Sequence, residues 1–294
     1  MKKDQKNCKK NTMNYSNSEK QLNNYHPFLI DNMKDVICRI VKAVNSREKI
    51  VVFGYYDVDG ITSVSSLLLV LKYLNADVEY FIPTELHRVR NLTEEDIKQH
   101  IEFLGTKLII SIGGYLNSEK EVTLCKNLNI DMITLCNEKN QSNSYGYIIN
   151  PAHNECKYPF ENLSCSGVTY KVIQALSIYY KTTIFNKFID LVCLGTLSSG
   201  KKLEDENLYI IEKGIKQIKN TNNYGIKALM KMYHIGELNK DILLSLGSII
   251  MPKINPIGNM DDAKIIVELF TTRNMCKAEQ IAKYIYREEK FREQ

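Results

Sequence analysis

The chain has 294 residues, 44% hydrophobic and 25% charged, which is enough apolar side chain for a substantial core. No run approaches the roughly 18 to 20 uninterrupted apolar residues of a membrane span, and the Lys- and Asn-rich N-terminus lacks the apolar centre of a secretion signal. The expectation is a cytoplasmic protein with no membrane partner. The eight cysteines are scattered without a C-x-x-C pair, which argues against a zinc site or a disulfide framework and for reduced thiols.

The formal net charge is +5, and most of it lies in residues 1–24, where six lysines face only Asp4 and Glu19. Residues 1–26 read as a disordered, solvated, basic tail. The rest is close to neutral, so the total charge gives no support for the basic face used in phosphate-backbone binding.

From residue 27 onward, short apolar runs alternate with amphipathic segments. Residues 28–47 repeat apolar side chains near the 3.6-residue period and predict a helix. The β-branched run Lys49–Phe53, ending at Gly54, predicts a buried strand. Ile61–Leu74 predicts a helix, Val78–Ile82 a strand stopped by Pro83, and Thr93–Phe103 a helix. Strands are expected at 108–112, 132–135 and 147–149, with a helix near 117–128 between the first two. Near-continuous apolar strands alternating with helices imply an α/β fold with a parallel sheet flanked by helices. From about residue 165 only helical segments follow, at 166–180, 186–198, 204–219, 222–234, 239–249, 261–272 and 276–290. The division expected is a tail over 1–26, an α/β core over 27–160 and a helical subdomain over 161–294.

The sharpest local signal is Gly54-Tyr55-Tyr56-Asp57-Val58-Asp59-Gly60-Ile61-Thr62-Ser63, at a strand-to-helix junction. Such junctions carry the ligand sites of α/β folds. Asp57 and Asp59 could converge on a hard cation such as Mg²⁺ or Mn²⁺. The plainer reading is an Asp-rich turn, with Asp59 or Thr62 as helix N-cap.

This run, together with Leu74–Pro83, resembles the opening of the RecJ-type DHH phosphoesterases, whose first motif reads G-D-Y-D-A-D-G-x-T-S. Further matches follow in order at Ile149-Asn150-Pro151, Tyr158-Pro159-Phe160, Gly167-Val168, Asp190–Thr196 and Pro252–Met260. The resemblance runs from about residue 27 to 290, and its ordered motifs are far more specific than any one alone. It implies a DHH domain. In RecJ-type enzymes such a domain uses two Mn²⁺ or Mg²⁺ ions to hydrolyse phosphodiesters, degrading single-stranded DNA from the 5′ end in a DNA-repair setting. Two cations activate a water and stabilise charge on the phosphoryl oxygens.

Aligned with those motifs, most of the family's metal ligands are replaced. Asp57 and Asp59 are kept, but the leading Asp is Tyr55. The Asp after the third strand is Gly113, the name-giving Asp-His-His falls on Cys136-Asn137-Glu138, and the Asp of G-T-I-A-D is Ser199. The E-G-Y-G loop has become Arg88-Val89-Arg90-Asn91. The resemblance also implies a following DHHA1 domain, and no Gly-rich motif of that kind is found before Gln294. Scaffold positions such as Gly54, Gly60, Pro83 and Gly195 keep family character.

The leading expectation is therefore a degenerate RecJ-like domain, without an expected cofactor beyond weak Mn²⁺ or Mg²⁺ at Asp57 and Asp59. It would act on a protein partner or weakly on single-stranded nucleic acid. Two alternatives stay open: a reduced phosphoesterase with non-family ligands such as Glu138, and a nucleotide-binding regulatory module. Arg88, Arg90, Lys201 and Lys202 are the candidate phosphate contacts, each weighed against a solvated surface charge. His87 and His153 lie in loops but do not align with the catalytic histidines. The 18 tyrosines mark no stacking platform.

Overall fold

A computed structural model describes residues 23–83, 91–114, 116, 118–139, 145–251 and 262–292. The basic stretch 1–22, the loop holding His87, Arg88 and Arg90, and the Pro252–Met260 motif lie outside the described residues.

The predicted first helix is split in two. Pro27–Leu29 form a 3-10 turn, and α1 spans Met33–Asn45. Between them Asn32 adopts a left-handed conformation (φ 62°), which Asn tolerates. Its side-chain amide donates to the Ile148 carbonyl at 3.0 Å. Strand β1 (Lys49–Phe53) is followed by α2 (Val58–Tyr73), which starts three residues before the predicted Ile61. Strand β2 (Val78–Phe81) leads to a helical stretch of three kinds: an α-turn α3 (Glu94–Asp96), a π-turn (Ile97–Ile101) and a 3-10 turn (Glu102–Leu104). Strand β3 (Thr106–Ile112), α4 (Glu119–Asn127), β4 (Asp131–Leu135) and β5 (Tyr147–Ile149) complete the α/β half. Helix α4 begins at Glu119 because Ser118 and Glu121 form a capping box.

All five strands are parallel, in the order β2-β1-β3-β4-β5. Alternate residues of β1 face opposite layers. Ile50 and Val52 join the large core with α1 and α2, whereas Val51 and Phe53 join a smaller one with Ile97, Ile101 and Cys125. Burial on both faces explains the continuous apolar strands.

The second half supplies α5 (Cys165–Tyr179), α6 (Ile189–Ser198), α7 (Asp205–Lys219), α8 (Tyr224–Met232), α9 (Lys240–Ile249), α10 (Asp262–Thr271) and α11 (Met275–Arg292). These helices share one continuous apolar cluster with the sheet, running from Ile30 to Ile285. Helix α2 lies inside this stack and is buried along most of its length, including Thr62, Ser63, Ser65 and Ser66. Its crossing with α5 and α6 is close. A Cβ on Gly195 would lie 2.0 Å from Ser166 Oγ and 2.2 Å from Thr62 Oγ1, so only glycine fits there.

The chain is already anchored before residue 27. Lys171 and Glu206, both fully buried, form an ion pair. Lys171 Nζ also donates to the Tyr25 carbonyl (2.8 Å) and Asn24 Oδ1 (2.9 Å). Glu206 accepts from the Tyr25 N–H (3.0 Å) and the Tyr158 hydroxyl (2.5 Å). The pair is thus hydrogen-bonded on both sides, as a buried pair must be. Burial lowers the Lys171 pKa and raises that of Glu206, with each partner's charge opposing the shift. Among the described residues no helix is long and apolar enough to cross a membrane.

Candidate functional site

In an open parallel sheet, ligands bind beyond the carboxyl ends of the strands, at the point where the strand order reverses. Here that point lies between β1 and β3, and the chain leaving each strand carries one of the substituted positions. After β1 comes Tyr55; after β3 comes Gly113.

Tyr55 bridges the gap. Its hydroxyl donates to the Gly113 carbonyl at 2.7 Å, and the residue is 9% exposed. The ring lies against Gly113 itself: a Cβ there would sit 2.7 Å from Tyr55 Cε2 and 3.2 Å from Cys165 Sγ. Gly113 has φ +72°, a left-handed conformation that disfavours other residues. Its N–H donates to the Leu135 carbonyl of β4 at 2.6 Å. Phe53 packs edge-on against Tyr55, with centroids 6.1 Å apart. The two substitutions fit each other, since a phenol fills the space above a residue with no side chain.

The retained acids are engaged in holding helices. Asp57 caps α2, its Oδ1 accepting from the Gly60 N–H at 2.6 Å. The cap is thus Asp57, ahead of the expected Asp59 or Thr62, because α2 starts at Val58. Thr62 instead donates its hydroxyl to the Val58 carbonyl at 2.8 Å. Asp59 reaches across to the first turn of α5. Its Oδ1 accepts from the Ser166 N–H (2.8 Å) and its Oδ2 from the Cys165 N–H (3.0 Å). Those are orphan donors at the positive end of a helix, which favour a carboxylate there. Asp59 is only 9% exposed. Burial, reinforced by the charge of Asp57, raises its pKa to about 6 against the opposing bonds from Ser166 and Cys165.

The other substituted positions, Glu138 apart, carry no ligand charge. Cys136 is 1% exposed, and burial first, then the Glu138 charge, push its thiol up to about 12. A thiol in that state is not a ready thiolate ligand. Asn137 donates its amide to the Leu163 carbonyl, tying the end of β4 to the segment before α5, while its buried Oδ1 lacks a partner. Glu138 is exposed, and its carbonyl accepts from Asn150 Nδ2 at 2.8 Å. Ser199 donates back to the Thr196 carbonyl at 2.8 Å, at the end of α6. Lys201 is half-buried and Lys202 exposed, just beyond that turn. His153 is exposed in a loop, its Nδ1 accepting from the Glu155 N–H at 3.3 Å.

This donor set does not fit a two-cation centre. Tyr55 occupies the gap, both Asp59 oxygens are taken by backbone donors, and Asn137 and Ser199 offer neutral groups used elsewhere. Among the described residues, no three of His, Cys, Asp or Glu gather into a group able to hold a metal. The sequence reading missed the first turn of α5. Its signal was present as Ser164-Cys165-Ser166-Gly167, a hydroxyl-rich cap before an apolar helix. Ser164 indeed caps α5 by accepting from the Gly167 N–H at 2.9 Å.

Comparison with known proteins identifies the family and the fold. The family model for the DHH family, N-terminal domain, matches residues 49–196. The chain is 30% identical over 262 residues to the single-stranded-DNA-specific exonuclease RecJ of Bacillus subtilis, covering 88% of this chain and 32% of that protein. It is 26% identical over 272 residues to RecJ of Haemophilus influenzae, covering 87% and 47% respectively. The chain therefore spans about a third to a half of these relatives' length. Among solved structures, exonuclease RecJ bound to manganese superposes with a TM-score of 0.77 at 19% identity, over 88% of this chain and 65% of that one. RecJ from Thermus thermophilus in complex with Mn²⁺ gives 0.73 at 19% identity, over 88% and 37%. At that identity the likeness establishes the fold.

Proposed function

This chain belongs to the DHH family, and from that premise we propose that it is a RecJ-like domain that works by binding and not by metal-dependent phosphodiester hydrolysis. The observation that carries the reading is the Tyr55 phenol seated on Gly113, in the gap between β1 and β3 where the family's cations would be held. The commitment of Asp59 to the first turn of α5 supports it, because two of the carboxylate's roughly four lone-pair sites, one on each oxygen, already accept from backbone N–H groups. On this reading the domain engages a protein partner, with weak affinity for single-stranded nucleic acid. Mn²⁺ or Mg²⁺ has at most a loose association with Asp57. The relatives' names carry the nucleic-acid part of the proposal, and residence in the cytoplasm belongs to the same reading.

The test is Mn²⁺-dependent hydrolysis of a 5′-labelled single-stranded oligonucleotide, with Asp57→Ala/Asp59→Ala as the control. The expected result is no cleavage across a wide Mn²⁺ range, with a partner recovered by pull-down. Turnover that the double variant abolishes would overturn the reading and point to replacement ligands, starting at exposed Glu138. In a parallel binding assay, Lys201→Glu/Lys202→Glu should weaken single-strand affinity. Unchanged affinity would remove these lysines from the interface.

A further inference from the structure

At the other end of α5 from Asp59 lies an open cavity of about 750 Å³, between the Tyr25 segment, the last turns of α5 and one face of α7. Ser166, which meets Asp59, and Ser177, which lines this cavity, are eleven residues apart, or about 16 Å along the helix. The two places share no lining residue, and the site described above does not use this one.

Three features of the cavity converge. Lys181, Lys213 and Lys216 line it, and no carboxylate does so among the described residues. Lys213 and Lys216, three apart on α7, lie on one helix face. None of the three makes an ion pair with a described residue. Glu212, next to Lys213 and one turn before Lys216 on α7, is exposed and does not line the cavity, while Asp205 accepts from the Tyr25 hydroxyl at 3.2 Å and Glu206 is paired with Lys171. Lys181 follows the C-cap of α5, where its charge offsets the exposed carbonyls of that helix end.

The second feature is a pair of unpartnered polar atoms. Ser177 is 7% exposed, and its hydroxyl has no hydrogen-bond partner. Serine inside a helix commonly donates to the carbonyl one turn back, and this one does not. Gln174 Oε1, one turn earlier on the same face, is also buried and unpartnered. A buried polar group without a protein partner favours one, and a ligand with complementary groups would supply it. It needs an acceptor for the Ser177 hydroxyl and a donor for Gln174 Oε1. The third feature is aromatic: half-buried Tyr25 and Tyr209 are among the lining residues, with Lys213 Nζ 5.9 Å from the Tyr209 ring centre.

We propose that this cavity is a binding site for a nucleoside monophosphate. The phosphate would meet Lys213, Lys216 and Lys181 and accept from Ser177. A sugar hydroxyl or base N–H would donate to Gln174 Oε1, with the base against the tyrosines. A cavity of about 750 Å³ falls within the roughly 300 to 1,000 Å³ typical of small-ligand sites. The inference does not rest on the non-catalytic reading, since it involves none of its residues.

The experiment is calorimetric titration of the full chain with AMP, adenosine and inorganic phosphate separately. AMP should bind saturably at one site, with adenosine and phosphate each weaker. Lys213→Glu/Lys216→Glu should weaken AMP by more than about tenfold, as loss of charge-assisted contacts does. Ser177→Ala should weaken it by about two- to tenfold. Lys34→Glu, at an exposed position of α1 outside the cavity, should leave it unchanged. Both α7 lysines are exposed, so the variant should melt as the wild type does. If it does not, Lys213→Gln/Lys216→Gln takes its place. The proposal is overturned by absence of saturation below about 5 mM AMP, or by AMP affinity that the α7 variants leave within twofold. A 5′-phosphorylated oligonucleotide binding in a Lys213- and Lys216-dependent way while AMP does not bind would also overturn it, in favour of a strand-end site. Oligonucleotide cleavage is untouched by any of these outcomes, so the two readings fail separately.

Discussion

Gly113→Ala tests the packing of the Tyr55 phenol on Gly113. The new Cβ would sit 2.7 Å from Tyr55 Cε2, well inside carbon–carbon contact, while Cys165 Sγ at 3.2 Å would have to give only slightly. Two costs add. Holding a residue with a Cβ at φ +72° costs about 1–2 kcal/mol, and overpacking a buried aromatic costs about 1–3 kcal/mol. The single variant should lose about 2–5 kcal/mol of stability. Tyr55→Ala alone should lose about 3–5 kcal/mol as a large-to-small change of a buried aromatic. In the Tyr55→Ala background the steric part disappears and only the backbone strain remains. Gly113→Ala should then cost about 1–2 kcal/mol, a coupling of about 1–3 kcal/mol between the two sites. Urea unfolding of the four proteins, followed by far-ultraviolet circular dichroism at constant m-value, measures this. A Gly113→Ala cost that is the same in both backgrounds would refute the packing of phenol on glycine.

Stability should also depend on pH through Asp190. It is buried in α6, accepting from Thr221 Oγ1 at 2.6 Å and from the Leu191 N–H at 2.7 Å. Burial first raises its pKa to about 6 against those bonds. Between its ordinary value and about 6, the folded state keeps a proton the unfolded state has released. Stability is therefore lost as pH rises through that window, by up to about 1.4 kcal/mol per pH unit. Asn can keep both contacts, so Asp190→Asn should lose less stability than the wild type between pH 4 and pH 7. Parallel pH profiles would contradict this. Asp59, raised to about 6, acts with the same sign. Glu206→Gln would leave Lys171 buried without its counter-charge and should cost about 3–5 kcal/mol. It should also speed proteolysis near Tyr25, whereas Lys171→Met/Glu206→Leu should recover part of the stability. If the single variant unfolds at the wild-type midpoint, the pair does not clamp this segment.

The order of residues by itself determined much of this protein. Continuous apolar runs placed every strand, and the 3.6-residue period placed most helices within a few residues, although 28–47 is split and 93–103 is a chain of short turns of three kinds, because burial on one face or both leaves a local pattern. Tyr55, Gly113, Asn137 and Ser199 could be singled out by setting the chain against family motifs, but their contacts could not be read that way. Asp57 and Asp59 read as a cation pair or a turn. Only the packing of α5 against α2 decided that Asp59 is held by the N–H groups of Cys165 and Ser166. The Pro27 boundary likewise gave no sign that Tyr25 is pinned by Lys171 and Glu206, since those partners lie far along the chain. The fit of Tyr55 to Gly113 depends on β1 and β3 being neighbours. Local sequence encodes local periodicity; contacts between distant residues are set by strand order and helix packing, and the function of a side chain rests on those contacts.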